Sequence, residues 1–256
     1  MKRAFDMVCS LAGLLMLSPL LILAAAAVWL EDRASPFFIG TRVARGGGDF
    51  RMVKFRSMAP DAWKTGVNST SASDARITRA GRWLRTAKLD ELPQLWNVLV
   101  GHMSLVGPRP QVRTDASLYT SDEQKMLGVR PGVTDLASIV FADEGEILAG
   151  SSQPDLLYNQ VIRPWKSRMA LLYVQRHTLA VDLQIIALTQ LSAIHRPRAL
   201  AGVATILMNW DADPTLIRIA RRRHPLPTGA PPGATGVVAE YPVRPGFEPA
   251  PDVAHA

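Results

Sequence analysis

The sequence predicts an α+β fold, mostly helical, with few short strands, in a compact domain resting on a membrane. Three observations carry this. The chain opens on an apolar run that continues almost unbroken to Leu30. Behind it one short stretch, Phe50–Met58, alternates in the manner of a strand, while helical periodicity dominates from Asp155 to about Ile194. The composition is that of a globular protein, 48% hydrophobic and 20% charged over 256 residues, enough for one sizeable domain and an appendage.

The elements follow in order. After Met1-Lys2-Arg3, the run to Leu30 is longer than the roughly 7–15 residue core of a signal peptide, although Ala24–Ala27 resembles a cleavage site. It is long enough for a membrane helix, which needs about 20 apolar residues. Ser18-Pro19 sits near its middle. Proline removes a backbone donor and crowds the preceding turn, and a serine hydroxyl can bond the freed carbonyl inside lipid. Lys2 and Arg3 lie before the segment and Arg33, Arg42, Arg45 and Arg51 after it, so charge gives no clear orientation. A kinked spanning helix and a helix that enters one leaflet and returns both satisfy these residues.

Gly46-Gly47-Gly48 is the turn that leads into the Phe50–Met58 strand. Ser69–Arg79 is polar and reads as a surface loop. Gly81–Leu89 reads as a helix with a basic face formed by Arg82 and Arg85. Leu92-Pro93 opens a helix that stops near Gly101. From Asp155 to Ile194 one or two amphipathic helices are expected, interrupted at Pro164. Their apolar stripe packs a core or, with Trp165 and Tyr173, meets a membrane surface. Ala199–Trp210 and the basic run Arg218, Arg221, Arg222 and Arg223 form an amphipathic extension and a candidate second interfacial anchor. From Pro225 the chain is rich in Pro, Gly and Ala and reads as a disordered tail. The boundaries are therefore 1–30, 31–196, 197–224 and 225–256. The formal charge of +7 implies an anionic partner or a generally basic surface. The single cysteine, Cys9, excludes an intrachain disulfide.

The passage "KLDELPQLWNVLVGHMSLVGPRP", Lys88–Pro110, concentrates the chemistry. Asp90 and Glu91 fall just before a helix start, where the positive end of the dipole favours carboxylate, metal and phosphate. Alone, that pair is an ordinary acidic first turn. Its company is what distinguishes it: Lys54 and Arg56 on the strand, Arg79, Arg82 and Arg85 upstream, and Arg109 held between two prolines. Carboxylates among guanidinium groups suit phosphoryl chemistry, with Mg²⁺ bridging carboxylate and phosphate or an aspartate acting as nucleophile. No Walker loop, GxGxxG, HExxH or paired-cysteine pattern is present, and the histidines lack metal-ligand spacing. No helix-turn-helix or RNP motif points to nucleic acid.

These passages resemble the bacterial sugar transferases, the monotopic phosphoglycosyl transferases. The likeness runs in order through "KRAFDMVCSLAGLLMLSPLLIL", "SPFFIGTRVARGGGDFRMVKFRSM", "ITRAGRWLRTAKLDELPQLWNVLVGHMSLVGPRP", "RPGVTDLAS" and "YVQRHTLAVDLQII", from residue 1 to about 195. It departs at His102, Gly40 and Ala44, where members commonly carry aspartate, glutamine and glycine. The resemblance implies transfer of a sugar-1-phosphate from a nucleoside diphosphate sugar, usually UDP-linked, to polyprenyl phosphate, with release of UMP. It implies Asp90 as nucleophile with Mg²⁺ near it, and Glu91 as its metal-shell or acid–base partner. It also implies Lys54, Arg56, Arg85 and Arg109 as phosphate ligands. Ser18-Pro19 matches the break of a re-entrant helix, which places the domain on the cytoplasmic face of the bacterial inner membrane. Downstream glycosyltransferases or a second copy of the chain are the protein partners left open. A different class, a non-catalytic scaffold of the same fold that recruits glycosyltransferases, is argued against by the intact Asp90-Glu91 pair.

Overall fold

The computed structural model describes residues 1–62 and 74–241. The expected loop at Ser69–Arg79 lies partly outside them; its described end, from Asp74, leads directly into a helix. Helices predominate, as the sequence predicts.

The N-terminal run forms two helices, α1 (Lys2–Met16) and α2 (Ser18–Asp32), joined at Leu17. Pro19 lies in the first turn of α2, and the Ser18 hydroxyl donates to the Leu15 carbonyl at 2.8 Å. The break is thus proline's missing donor, with the neighbouring serine binding a carbonyl of the preceding turn. Both ends of the pair are tied to the same domain. At the start, Lys2 donates to Asp182 at 2.5 Å, Arg3 donates to the Leu99 carbonyl at 2.7 Å, and Asp6 accepts from the Ser104 hydroxyl at 2.8 Å. At the far end, Glu31 accepts the backbone N–H groups of Arg79 and Ala80, and Asp32 holds Arg56 through two bonds of 2.6 Å. Between these ties Met7, Val8, Leu11, Leu15, Ile22 and Leu23 remain exposed. Lys2–Asp32 is long and apolar enough to cross a membrane by length and composition.

The predicted strand has a partner that the alternation did not announce. β1 (Phe37–Val43) pairs antiparallel with β2 (Asp49–Phe55), with Val43 opposite Asp49 and Phe37 opposite Phe55. The connection needs φ > 0 at Gly46 (79°) and Gly47 (85°), which explains the glycine run. Helix α3 (Arg79–Thr86) is capped by Thr78. It ends with Lys88 in the left-handed region and the Leu89 N–H bonded to the Leu84 carbonyl, a closing turn that redirects the chain toward Asp90. Helix α4 (Gln94–Val100) ends at Gly101, φ 95°, as read from the sequence.

β3 (Ser104–Val106) and β4 (Gly132–Thr134) form a short parallel pair. A Cβ on Gly107 would lie 2.5 Å from the Arg130 carbonyl, and one on Gly132 2.1 Å from the Gly107 nitrogen. Two glycines therefore let the Gly107–Pro110 segment press against the 130–134 segment. Short helices α5 (Arg113–Ala116), α6 (Ser121–Gln124), α7 (Leu136–Val140), α8 (Glu144–Ile147) and α9 (Pro154–Leu157) follow. A π-helical turn, Tyr158–Ile162, precedes α10 (Arg163–Arg176), so Pro164 marks a change of winding and a new helix start. Helices α11 (Leu179–Ile194), α12 (Arg196–Asn209) and α13 (Pro214–Ala220) complete the bundle.

Two expectations about the C-terminal third change. Trp165, Met169 and Tyr173 of α10 are buried, which is the core reading of that stripe. Residues 197–224 are not an appended interfacial anchor: Ala199, Val203 and Leu207 of α12 pack with Ile139, Ile162 and Ile185 in the largest core cluster. Nor are residues 225–241 a disordered tail. They lie as an extended strap on the domain, with Trp165 donating to the Pro227 carbonyl (3.0 Å), Gln160 to that of Val238 (2.8 Å), and the Tyr241 hydroxyl to Asp115 (2.9 Å). Proline-rich chain without periodicity can still be ordered when its carbonyls find donors. Residues 242–256 lie outside the described part.

Candidate active site

Asp90 and Glu91 occupy the turn between α3 and α4, three or more residues before Gln94, the first residue of α4. They thus lie just before a helix start, as the sequence predicts, although the helix begins at Gln94 and not at Pro93. α4 has seven residues, and hydrogen bonds from Leu92 to Leu89 and from Gln94 to Glu91 build a tighter turn ahead of it. What surrounds the pair is side-chain charge.

Strand β2 fixes the position of the turn. The Phe55 N–H donates to the Asp90 carbonyl at 2.9 Å. One residue away, Lys54 sits on the hairpin face that carries Arg42, Met52 and Phe50, because alternate residues share a face. Met52 and Phe50 pack on Val98 and Met103, which holds this face against α4; Lys54 and Arg42 lie on it on either side of the Met52–Gly40 pair.

The two acids have different partners. Glu91 is gripped through both carboxylate oxygens by Arg109, one of whose bonds measures 2.8 Å. Arg109 also donates to the Val133 carbonyl at 3.3 Å, so the Gly107–Pro110 segment and β4 together aim its guanidinium. Burial works to raise the Glu91 carboxyl, but the charge and hydrogen bonds of Arg109, with Lys54 and Lys88, outweigh it and hold the group below the usual range. Arg109 is correspondingly pushed up, first by the charge of Glu91.

Asp90 is 9% exposed and its carboxylate makes no hydrogen bond among the described residues. Burial first, and then the charge of Glu91, raise its pKa; Lys54, Arg85 and Arg109 oppose them. Lys54 is pushed down to about 8, by burial and then by Arg42, against the attraction of Asp90 and Glu91. Arg42 is also lowered, by burial and by Arg109. Lys54, Arg42 and Arg109 crowd together although like charges repel. A cluster of that kind favours an anion, and guanidinium and ammonium donors are the groups that suit phosphate oxygens.

The structure brings Asp90, Glu91, Lys54, Arg85 and Arg109 together. Arg56 is the exception. It is buried at 8% exposure, pairs with Asp32, and also donates to the Ser35 carbonyl at 2.7 Å. Its donors tie α2 to the hairpin, so it is not available as a phosphate ligand. The period of two explains this: Arg56 follows Lys54 by two residues, but the chain leaves β2 at Phe55, so the two no longer share a face. Arg42, by contrast, had been read only as a flanking charge. Once β1 is recognised as a strand, its register places it on the face of Lys54.

Beside Arg109 an open cleft of about 510 Å³ of empty space is lined by Gln111, Asp115, Tyr119, Asp135, Tyr158 and Lys166, among others. No group of three or more metal-ligating side chains occurs among the described residues.

Comparison with known proteins gives this arrangement a context. The chain is 38% identical over 195 residues to an undecaprenyl-phosphate glucose phosphotransferase of Komagataeibacter xylinus, covering 73% of this chain and 35% of the relative. It is 36% identical over 207 residues to the exopolysaccharide production protein PSS of Rhizobium leguminosarum bv. phaseoli, covering 77% and 96%. It is 35% identical over 188 residues to a UDP-glucose:undecaprenyl-phosphate glucose-1-phosphate transferase of Caulobacter vibrioides, covering 71% and 70%. The chain thus spans about a third of the first relative and nearly all of the second. The pattern of the family described as "Bacterial sugar transferase" matches residues 1–196, and the chain belongs to that family.

Proposed function

We propose that this protein transfers a sugar-1-phosphate from a nucleoside diphosphate sugar, a UDP-sugar, to polyprenyl (undecaprenyl) phosphate through a covalent intermediate on Asp90. The observation that carries the reading is the unbonded, buried Asp90 carboxylate facing Lys54, Arg85 and Arg109, in a chain whose relatives are named as undecaprenyl-phosphate sugar phosphotransferases. An Asp90 oxygen forms a bond to the sugar-bearing phosphorus. The bond from that phosphorus to the UMP oxygen breaks, and UMP leaves with the electron pair. An oxygen of the lipid phosphate then bonds to the same phosphorus and releases Asp90 as carboxylate. Two ester-like exchanges thus replace one, and polyprenyl diphosphate sugar is the product.

The residues divide the work. Arg109, aimed by Glu91 and the Val133 carbonyl, and Lys54 bind the diphosphate oxygens. Arg85 and Arg42 stabilise the charge that gathers on them in the transition state. Glu91 acts through Arg109 and keeps its guanidinium in one orientation. The cleft beside Arg109 gives the remainder of the donor room. The donor set also fits Mg²⁺: this metal takes one or two carboxylates and completes its shell with phosphate oxygens and water, and Asp90 has a carboxylate to offer. When bound it neutralises phosphate charge near the attacking carboxylate.

The same reading seats the chain on one leaflet of the bacterial inner membrane, with the domain on the cytoplasmic side where nucleotide sugars are found. Both ends of the α1–α2 pair are fastened to one domain, and apolar side chains between them stay exposed. This supports a helix pair that enters the bilayer and returns.

The test is UMP release by the full chain in nanodiscs with undecaprenyl phosphate, Mg²⁺ and a panel of UDP-sugars, the wild type beside Asp90→Asn. Release with one sugar, abolished by the substitution, is the expected result. Release that survives Asp90→Asn would overturn the covalent route. No release by folded wild type would favour the scaffold class.

A further inference from the structure

Gln94 carries a carboxamide that is fully buried and has no partner. Its side chain is 0% exposed, and neither Nε2 nor Oε1 makes a hydrogen bond among the described residues. Buried amides are nearly always bonded, so an orphan of this kind needs a reason.

Its place supplies one. Asp90, Gln94 and Asn97 follow one another along the turn and α4, and Gln94 and Asn97, three residues apart on the helix, share a face. All three are buried. Both ends of this row are bonded to strand β2. Asn97 accepts the Val53 N–H at 2.9 Å and donates to the Arg51 carbonyl at 2.7 Å, and the Asp90 carbonyl accepts from Phe55. Gln94 therefore lies between them, facing the same strand with the same functional group as Asn97, yet it makes neither of the bonds that Asn97 makes. Four residues before Gln94, the Asp90 carboxylate is also without a hydrogen bond among the described residues. Two neighbouring orphans have complementary chemistry: one is an acceptor and the other has N–H groups to give.

We infer that Gln94 is a positioning residue for Asp90. When the donor's phosphate enters, the Gln94 Nε2–H donates to one Asp90 oxygen, which leaves the other oxygen to face phosphorus. After the bond forms, the held oxygen is the carbonyl of the acyl phosphate and keeps the same hydrogen bond. No proton changes hands. The inference rests on the reading of Asp90 as nucleophile. It explains why the amide has no bond to β2: a carboxamide already committed there, as Asn97 is, would not be free to turn to Asp90.

The test uses full-length protein in nanodiscs, with Gln94→Met and Gln94→Glu beside the wild type. Melting temperature, kcat and KM for the donor are measured, together with the burst of covalent phosphosugar formed without lipid acceptor. Gln94→Met keeps the length and removes an orphan, so the melting temperature rises by about 2–4 °C. Its kcat and burst rate fall about 10- to 100-fold, while KM stays within about twofold. Gln94→Glu keeps an acceptor, loses the donor and does not recover kcat. Three results would overturn the inference: a lower melting temperature or failure to fold for Gln94→Met, which marks a structural partner; an unchanged kcat and burst in that variant; or recovery by Gln94→Glu. Wild type that releases no UMP from any donor would instead bring down the transfer reaction itself, and this inference with it.

Discussion

Two arginine–glutamate pairs in this molecule have nearly the same chemistry and opposite surroundings. Arg163 and Glu123 meet between α10 and α6, with side chains 9% and 0% exposed. Every group there is used. Arg163 bonds Glu123 twice, Asn159 and the Leu118 carbonyl, while Glu123 also accepts from Ser167 and the Thr120 N–H. Arg109 and Glu91 are 33% and 29% exposed, and beside them the Asp90 carboxylate and the Lys54 ammonium make no hydrogen bond among the described residues, while Arg42 spends one donor on the Thr41 carbonyl. A pair that closes on itself holds helices together. A pair that orders one guanidinium among like charges prepares a place suited to an anion. Burial and ion pairing alone do not separate structural from functional charge; the remaining bonding capacity of the surroundings does.

Substitutions can break this comparison. The largest expected effect is on Asp90→Asn: UMP release falls by about 10³-fold or more, with the melting temperature unchanged or higher, because the lost charge was unpaired in the fold. Next, Glu123→Gln leaves a buried guanidinium half paired and costs about 3–5 kcal/mol of stability, read by denaturant unfolding, with kcat per folded molecule retained. Glu91→Gln reverses the pattern. Its exposure limits the stability cost to about 0–1 kcal/mol, while donor turnover falls roughly 10- to 100-fold as Arg109 loses its orientation. A smaller effect comes from pH. Lys54, held near 8, is charged below that value and loses its charge above it, so the donor KM climbs as pH passes about 8. Lys54→Met, with a higher KM throughout, loses that climb. The smallest is Tyr241→Phe, which removes one bond between strap and domain and costs about 0.5–1.5 kcal/mol.

What the sequence announced was local. Three glycines marked the turn into β2, Gly101 the end of α4, Ser18-Pro19 the broken helix, and the Asp90-Glu91 pair with Lys54 and Arg109 the centre of the candidate site. What it hid was pairing at a distance. Nothing near Arg56 shows that Asp32, 24 residues earlier, will take its guanidinium. Arg42 joins the site only through the register of β1 on β2, and β1 itself, with Phe37, Phe38 and Ile39 exposed, lacks the alternation that betrays a strand. The helices after residue 196 read as an appendage because their apolar positions suit a membrane or a core equally. Ile139, Ile162 and Ile185, far back in the chain, decide for the core.

The tie between Lys2 and Asp182 has a consequence for how the molecule is made. It joins residues 180 positions apart, and Arg3 and Asp6 likewise wait for partners near residue 100. At about 5–20 residues per second, the ribosome takes on the order of ten seconds or more to deliver Asp182 after Lys2 has been joined. The ties of Asp32 to Arg56 and of Glu31 to the start of α3 come within reach first, those of Arg3 and Asp6 midway, and that of Lys2 last. Lys2 is thus the last of the three to be fastened, and on the proposed membrane reading the bilayer would serve as a workbench for α1 and α2 before it serves as the place of work.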